Sequence, residues 1–131
     1  MAFTEQQQQL LGPQALAIAA ALREVALSEG VIDQAYAATL ATPTLTEANT
    51  IIVVAALTGN TTVPAPLGAR KGMRLTYLFT QDGVGTRTVT WNAVHAAGTN
   101  GAGAASTKGA ITFVYDGSRW VATNGPLAYA A

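Results

Sequence analysis

The side chains able to do chemistry are few in this 131-residue chain, and their spacing gives most of them a structural reading. His95 is the only histidine. An imidazole base needs a carboxylate to orient it and a nucleophile within reach, and nothing in the surrounding sequence supplies either. Asp82 and Asp116 could be imagined as the carboxylate pair of a glycosidase. Each directly precedes a glycine, the context in which aspartate caps a turn through nearby backbone N–H groups. Gly83-Val84-Gly85 and Gly101-Ala102-Gly103 are not phosphate cradles, because neither is followed by a helix-forming run. No cysteine is present, which excludes a disulfide framework and a thiolate zinc site. No catalytic set, cofactor site or metal site emerges, and the chain is expected not to be an enzyme.

Two clusters remain. Arg70, Lys71 and Arg74 form the one basic cluster, which either is solvated or faces acidic residues of a neighbouring subunit, with Glu24, Glu29 and Asp33 as the candidates. Trp91, Trp120, Tyr77, Phe79, Phe113 and Tyr115 could make a sugar-stacking platform, but their alternation along strands points most of them into a core. Asn60-Thr61-Thr62 is a glycosylation triplet, idle without a secretory signal.

The elements that must position these residues follow from composition and period. Charged residues make up only 11% of the chain, against roughly 25% in an average soluble domain. The surface must therefore be largely neutral, which suits burial against copies or a larger assembly. Zero net charge argues against a nonspecific grip on nucleic acid. No apolar run reaches the ~20 residues of a membrane span, and no basic region precedes an apolar stretch as a secretory signal requires.

Residues 1–36 read as an N-terminal helical arm and residues 37–131 as a β domain. The arm carries Glu5, Glu24, Glu29 and Asp33 against Arg23, and the β domain six Lys/Arg against three Asp/Glu, so the halves are opposite in sign. Thr4 and Gln7 match a capping box. Gly12-Pro13 breaks the helix there, and a stronger one is expected from Pro13 to about Ser28, stopping at Gly30. Leu11, Ala15, Ile18, Leu22 and Val25 recur at heptad spacing, and Ile32 continues the count. This seam is the expected oligomerisation or docking surface. It packs on its own domain or on neighbouring copies.

In the second part, Thr50–Leu57 is rich in β-branched residues and ends at a Gly59-Asn60 turn. Pro64 and Pro66 forbid a central strand between them. Met73–Thr80 and Thr86–Trp91, separated by Asp82-Gly83-Val84-Gly85, read as a hairpin. Ala96–Gly109, made of small residues, reads as a long mobile loop. Ala110–Tyr115, Asp116-Gly117 and Ser118–Thr123 make a last hairpin. Short strands with almost no helix between them predict a mainly β fold: an antiparallel β-sandwich or jelly-roll-like domain preceded by an N-terminal α-helix.

Two stretches carry a resemblance to a known family. Gly72–Trp91, containing the run Gln81-Asp82-Gly83-Val84-Gly85-Thr86-Arg87-Thr88-Val89-Thr90-Trp91, and Ile111–Trp120, containing Phe113-Val114-Tyr115-Asp116-Gly117-Ser118-Arg119-Trp120, resemble a β domain that recurs in tailed-bacteriophage virion proteins, particularly tail fibres and related appendages. The resemblance implies an oligomeric structural module, with a trimer favoured, rather than an enzyme. Related fibre chains are long and carry the module near one end, whereas here one helical segment precedes it. On that ground the expected function is a capsid decoration, cement or head-fibre protein on the capsid surface, bound to the major capsid protein or another virion protein through its arm. The alternative is a tail-fibre or tail-tip module that recognises host-surface carbohydrate.

Overall fold

The computed structural model describes residues 29–98, 100 and 103–130. Nine strands fall there and no helix: β1 (Gly30–Gln34), β2 (Asn49–Val54), β3 (Thr61–Val63), β4 (Arg74–Thr80), β5 (Val89–Trp91), β6 (His95–Ala96), β7 (Lys108–Tyr115), β8 (Trp120–Ala122) and β9 (Tyr129–Ala130). The helix expected at 13–28, and the seam residues Leu11, Ala15, Ile18, Leu22 and Val25, lie outside the described residues. Ile32 does not extend a helix. It sits in β1, half-buried against the core, and Gly30 opens that strand. Val31 and Ile32 are β-branched and pair with Ile51 and Ile52, so the fold includes residues that the boundary at 36 assigned to the arm.

The expectation of a mainly β fold holds, but the expected antiparallel order does not. Seven strands form a sheet in the order β1-β2-β4-β7-β8-β6, with β9 also on β7, and β3-β5 form a second, smaller sheet. The β1-β2, β2-β4, β3-β5 and β6-β8 pairs are parallel. Isolated parallel bridges join Thr39 to Thr62, Thr44 to Leu67 and Leu57 to Gln81. The chain thus coils: each pass stacks in register on the one before, with Gly30 beside Thr50 and Thr50 beside Leu75. Parallel neighbours need a long connection between them, and here that connection itself pairs with its counterpart one coil away. Antiparallel β7 ends the stack, running back along β4 from Lys108 beside Thr80 to Val114 beside Arg74.

Alternation sets the faces. Thr50, Ile52 and Val54 point inward, as do Leu75, Tyr77 and Phe79 on β4 and Ile111 and Phe113 on β7. One inward ladder crosses four strands as Ile32, Ile52, Tyr77 and Ile111. Val63 and Val89 of the smaller sheet complete the same core. Trp91 of β5 bridges the two sheets, with its ring 5.4 Å from Tyr77, 5.9 Å from Phe79 and 5.2 Å from Phe113, each at a steep angle. Edge-to-face aromatic pairs contribute about 0.5–1.5 kcal/mol each beyond their buried area. Trp120 is fully buried and lies 4.8 Å from Tyr115.

The last hairpin forms as expected, with Tyr115 beside Trp120 and Phe113 beside Ala122. The first does not. β4 pairs with β2 and β7, and β5 pairs with β3 in the other sheet. The cause is Gln81, which is buried. Its side-chain carbonyl accepts the Arg87 backbone N–H at 3.0 Å, and its amide donates to the Arg87 carbonyl at 3.0 Å. These two bonds occupy the groups that a hairpin partner would use, so residues 81–87 form an arch from one sheet to the other. Gly85 and Thr86 hold the corner at φ of 76° and 62°.

The segment 96–109 is also tied down where it is described. Ala97 and Gly103 are buried. Gln81 N–H donates to the Thr107 carbonyl, Thr86 N–H to the Gly103 carbonyl and Ser106 N–H to the Asp82 carbonyl. The Asn100 side chain accepts from the Trp91 indole N–H at 2.8 Å and donates to the Val89 carbonyl. At Gly103 the lack of a side chain makes room for the Gln81 side chain. A Cβ on Gly103 would meet Gln81 at 2.6 Å.

Candidate functional site

The basic cluster sits at the end of the large sheet where β4 begins. Residues 70–73 form a tight turn: Met73 N–H donates to the Arg70 carbonyl at 3.0 Å, and Arg70 N–H donates to Met73 Sδ at 3.2 Å. Gly72 takes a φ of 91°, a conformation that favours glycine. Its N–H donates to the Tyr115 carbonyl, and Tyr115 N–H returns a bond to the Met73 carbonyl. Arg74 N–H donates to the Ala48 carbonyl, which fastens the turn to the previous coil. Met73 is buried and anchors the turn, while Arg70 and Lys71 project into solvent.

This arrangement encloses an open depression of about 430 Å³ lined by Thr46, Glu47, Ala48, Arg70, Lys71, Gly72 and Met73. Thr46, Glu47 and Ala48 were not foreseen. No local spacing links them to Arg70; the parallel register that sets Asn49 beside Arg74 does. Arg70, Lys71 and Arg74 make no ion pair among the described residues, where the pair that forms is Arg87 to Asp82 at 3.0 Å. The structure keeps Arg70 and Lys71 together on the depression and turns Arg74 onto the outer face of the sheet, beside Asn49. Among the suggested acidic partners, Asp33 lies two strands away on that same outer face and Glu24 is outside the described residues. Two cations on a pinned turn, against the one carboxylate of Glu47 in the lining, can bind an anionic group by charge and hydrogen bonding.

The turn aspartates are engaged as their sequence context requires. Asp82 accepts the Arg87 guanidinium, the Gly85 N–H at 2.9 Å and the Val84 N–H at 3.1 Å. The Arg87 bond, then the Gly85 N–H, hold its carboxyl down at about 2. Asp116 accepts the Arg119 N–H at 2.7 Å, the Ser118 N–H and the Ser118 hydroxyl. These bonds, led by Arg119, also lower its pKa. Both carboxylates are therefore held ionised as turn caps.

His95 is buried between the rings of Trp91 and Phe113, at 5.3 Å from each. Its Nδ1 lies 3.2 Å from the Asn92 carbonyl, and its buried Nε2 has no partner among the described residues. Burial pushes its pKa below the usual histidine value, against the opposing pull of the Asn92 carbonyl. Asn60, the first residue of the triplet, uses its side chain to accept the Thr88 N–H at 3.0 Å. Among the described residues, no three His, Asp or Glu side chains converge as metal ligands.

No curated protein matches the chain. A family model described as "Putative phage tail fibre C-terminal domain" matches residues 41–120, more than half of its length. The match covers the second and third coils, the depression, the arch and the last hairpin up to Trp120. It supports a location in the virion and favours the tail over the capsid surface, and so favours the tail-fibre reading over capsid decoration. The chain belongs to the family of phage tail fibre C-terminal domains.

Proposed function

We propose that this chain is a non-enzymatic tail-fibre module that recognises the host surface, and that the depression under Arg70 and Lys71 takes an acidic group of a surface polysaccharide. The family match over residues 41–120 is the observation that carries the reading. The depression supports it, because it offers two cations on a backbone pinned on both sides against the single carboxylate of Glu47, with Thr46 also in the lining. A polysaccharide repeats its acidic group along the chain, so individually weak contacts add up where several are engaged at once.

The test replaces both cations. A chain carrying Arg70→Ser and Lys71→Ser is compared with the unaltered chain for binding to acidic polysaccharide extracted from host cells, at low and physiological salt. The expected result is at least a tenfold loss of binding, with a weaker salt dependence than the parent. Unchanged binding by the double variant would remove the depression from the proposal. Absence of any polysaccharide binding by the parent chain would overturn host recognition itself.

A further inference from the structure

The outward face of the large sheet divides by charge. Asp33 stands at the β1 edge, in a row that continues through Val53, Leu78 and Ala110 on β2, β4 and β7. The cations of this face lie away from that edge, Arg74 on β4 and Lys108 on β7, and both are exposed. Neither makes an ion pair among the described residues. Arg74 is at the end of β4 that follows the Arg70–Met73 turn, beside the uncharged amide of Asn49. Lys108 pairs with Thr80 at the other end of the same strand, six steps or about 20 Å from Arg74. Between the two cations the surface is neutral. First come the Thr76 and Thr112 hydroxyls, which bond each other at 2.9 Å, and then Leu78 beside Ala110. A shallow hollow of about 280 Å³ opens there, and its lining includes Val53, Leu78 and Ala110 together with Thr80 and Lys108.

We propose, on the basis of the host-recognition reading above, that this hollow is a second subsite for the same acidic polysaccharide, and that one polysaccharide chain runs along β4 from Arg70 and Lys71, past Arg74, to Lys108. Charge selects the occupant. The path presents Arg70, Lys71, Arg74 and Lys108 against the Glu47 carboxylate, while Asp33 lies three strands from Lys108. A ligand with repeated negative charge is drawn to that line, and Asp33 repels it from the β1 edge and so keeps it over β4 and β7. The surface between the cations suits the rest of such a ligand. A sugar ring carries C–H groups on its faces and hydroxyls on its rim. Val53, Leu78 and Ala110 meet the first, and the Thr76, Thr80 and Thr112 hydroxyls lie beside them for the second. A span of about 20 Å along the strand takes several sugars. The acidic groups held at its two ends therefore belong to separate units of one chain, and binding at either end raises the effective concentration at the other.

The lysines of the chain, Lys71 and Lys108, stand one at each end of the path and make the test direct. The full chain is treated with an amine-reactive acylating reagent, with and without acidic polysaccharide extracted from host cells, and each lysine is read separately by mass spectrometry. With the polysaccharide in excess, acylation of both lysines is expected to slow by at least about threefold. Slowing at Lys71 alone would overturn the second subsite and leave host recognition standing. No slowing at either lysine would overturn both. A full-length Lys108→Gln variant, altered at an exposed position, supplies an independent arm. It is expected to bind the intact polysaccharide at least about fivefold more weakly than the parent. Acidic trisaccharide fragments, too short to reach from one end to the other, are expected to protect its Lys71 as they protect the parent's. Equal binding of the intact polysaccharide by variant and parent would overturn the proposal.

Discussion

The arch at residues 81–87 depends on one side chain, and its replacement gives a quantitative test of why this chain coils instead of forming a hairpin. Gln81→Met keeps the length and flexibility of the side chain and removes its amide. Two bonds to Arg87 are lost, both at 3.0 Å. A typical bond contributes about 0.5–1.5 kcal/mol net, and a backbone group left unmet in a part-buried site adds to the cost. The expected loss is about 2–4 kcal/mol. For a domain of this size each kcal/mol corresponds to roughly 3–5 °C in Tm. Urea unfolding followed by the fluorescence of Trp91 and Trp120 measures it, with the slope against denaturant expected to stay constant. Gln81→Glu sharpens the test. Its carboxylate can accept the Arg87 N–H but faces the Arg87 carbonyl without a proton to donate. This variant should therefore be less stable at pH 7 than at pH 4.5, relative to the parent. A loss below about 1 kcal/mol in Gln81→Met, or no pH effect in Gln81→Glu, would refute the role given to this residue.

Other expectations concern the same region and the buried imidazole. Gly85→Ala should cost more than about 2 kcal/mol, because Gly85 has a φ of 76° and a Cβ there would meet the Ala105 nitrogen at 2.5 Å. Gly83→Ala, with nothing within 4 Å, should change stability by less than about 0.5 kcal/mol; the two are compared by denaturant midpoint. The folded state disfavours charged His95, so above the unfolded histidine pKa of about 6.5 its protonation contributes no pH dependence. As pH falls below that value the unfolded chain binds a proton first, and stability should drop by up to about 1.4 kcal/mol per pH unit. His95→Gln should flatten that slope between pH 7.5 and 5, a range in which Asp82 and Asp116 stay ionised.

Local signals in the sequence identified strands well and partners poorly. Thr50–Val54 is legible because it is an unbroken β-branched run, Met73–Thr80 and Ala110–Tyr115 because large apolar residues recur at every second position, and the Asp116-Gly117 hairpin because a short turn links its two strands. The parallel pairing of β1, β2 and β4 is not, since partners one coil apart share no motif and lie about twenty or more residues away. The arch misleads for a different reason. Asp82-Gly83-Val84-Gly85 has hairpin turn chemistry, and what cancels it is a glutamine side chain acting as a backbone substitute. Arg70 and Lys71 are visible in the sequence, whereas the wall opposite them, Thr46–Ala48, is defined only once the coils stack.

The position of β7 has a consequence for how the molecule is made. As the chain leaves the ribosome, β1, β2 and β4 appear in the order in which they sit side by side, so each can dock on its predecessor as it emerges. Strand β4 then waits for Lys108–Tyr115 with its far edge unpaired, carrying Tyr77, Leu78 and Phe79. An unpaired edge of that composition invites a strand from any chain nearby. Between emergence of the arch and arrival of β7, the growing protein is a template for pairing with its own siblings on the same message. The strand that reverses direction removes that template: once Lys108–Tyr115 is free of the ribosome it pairs along β4, and the edges of the large sheet become β1 and β6.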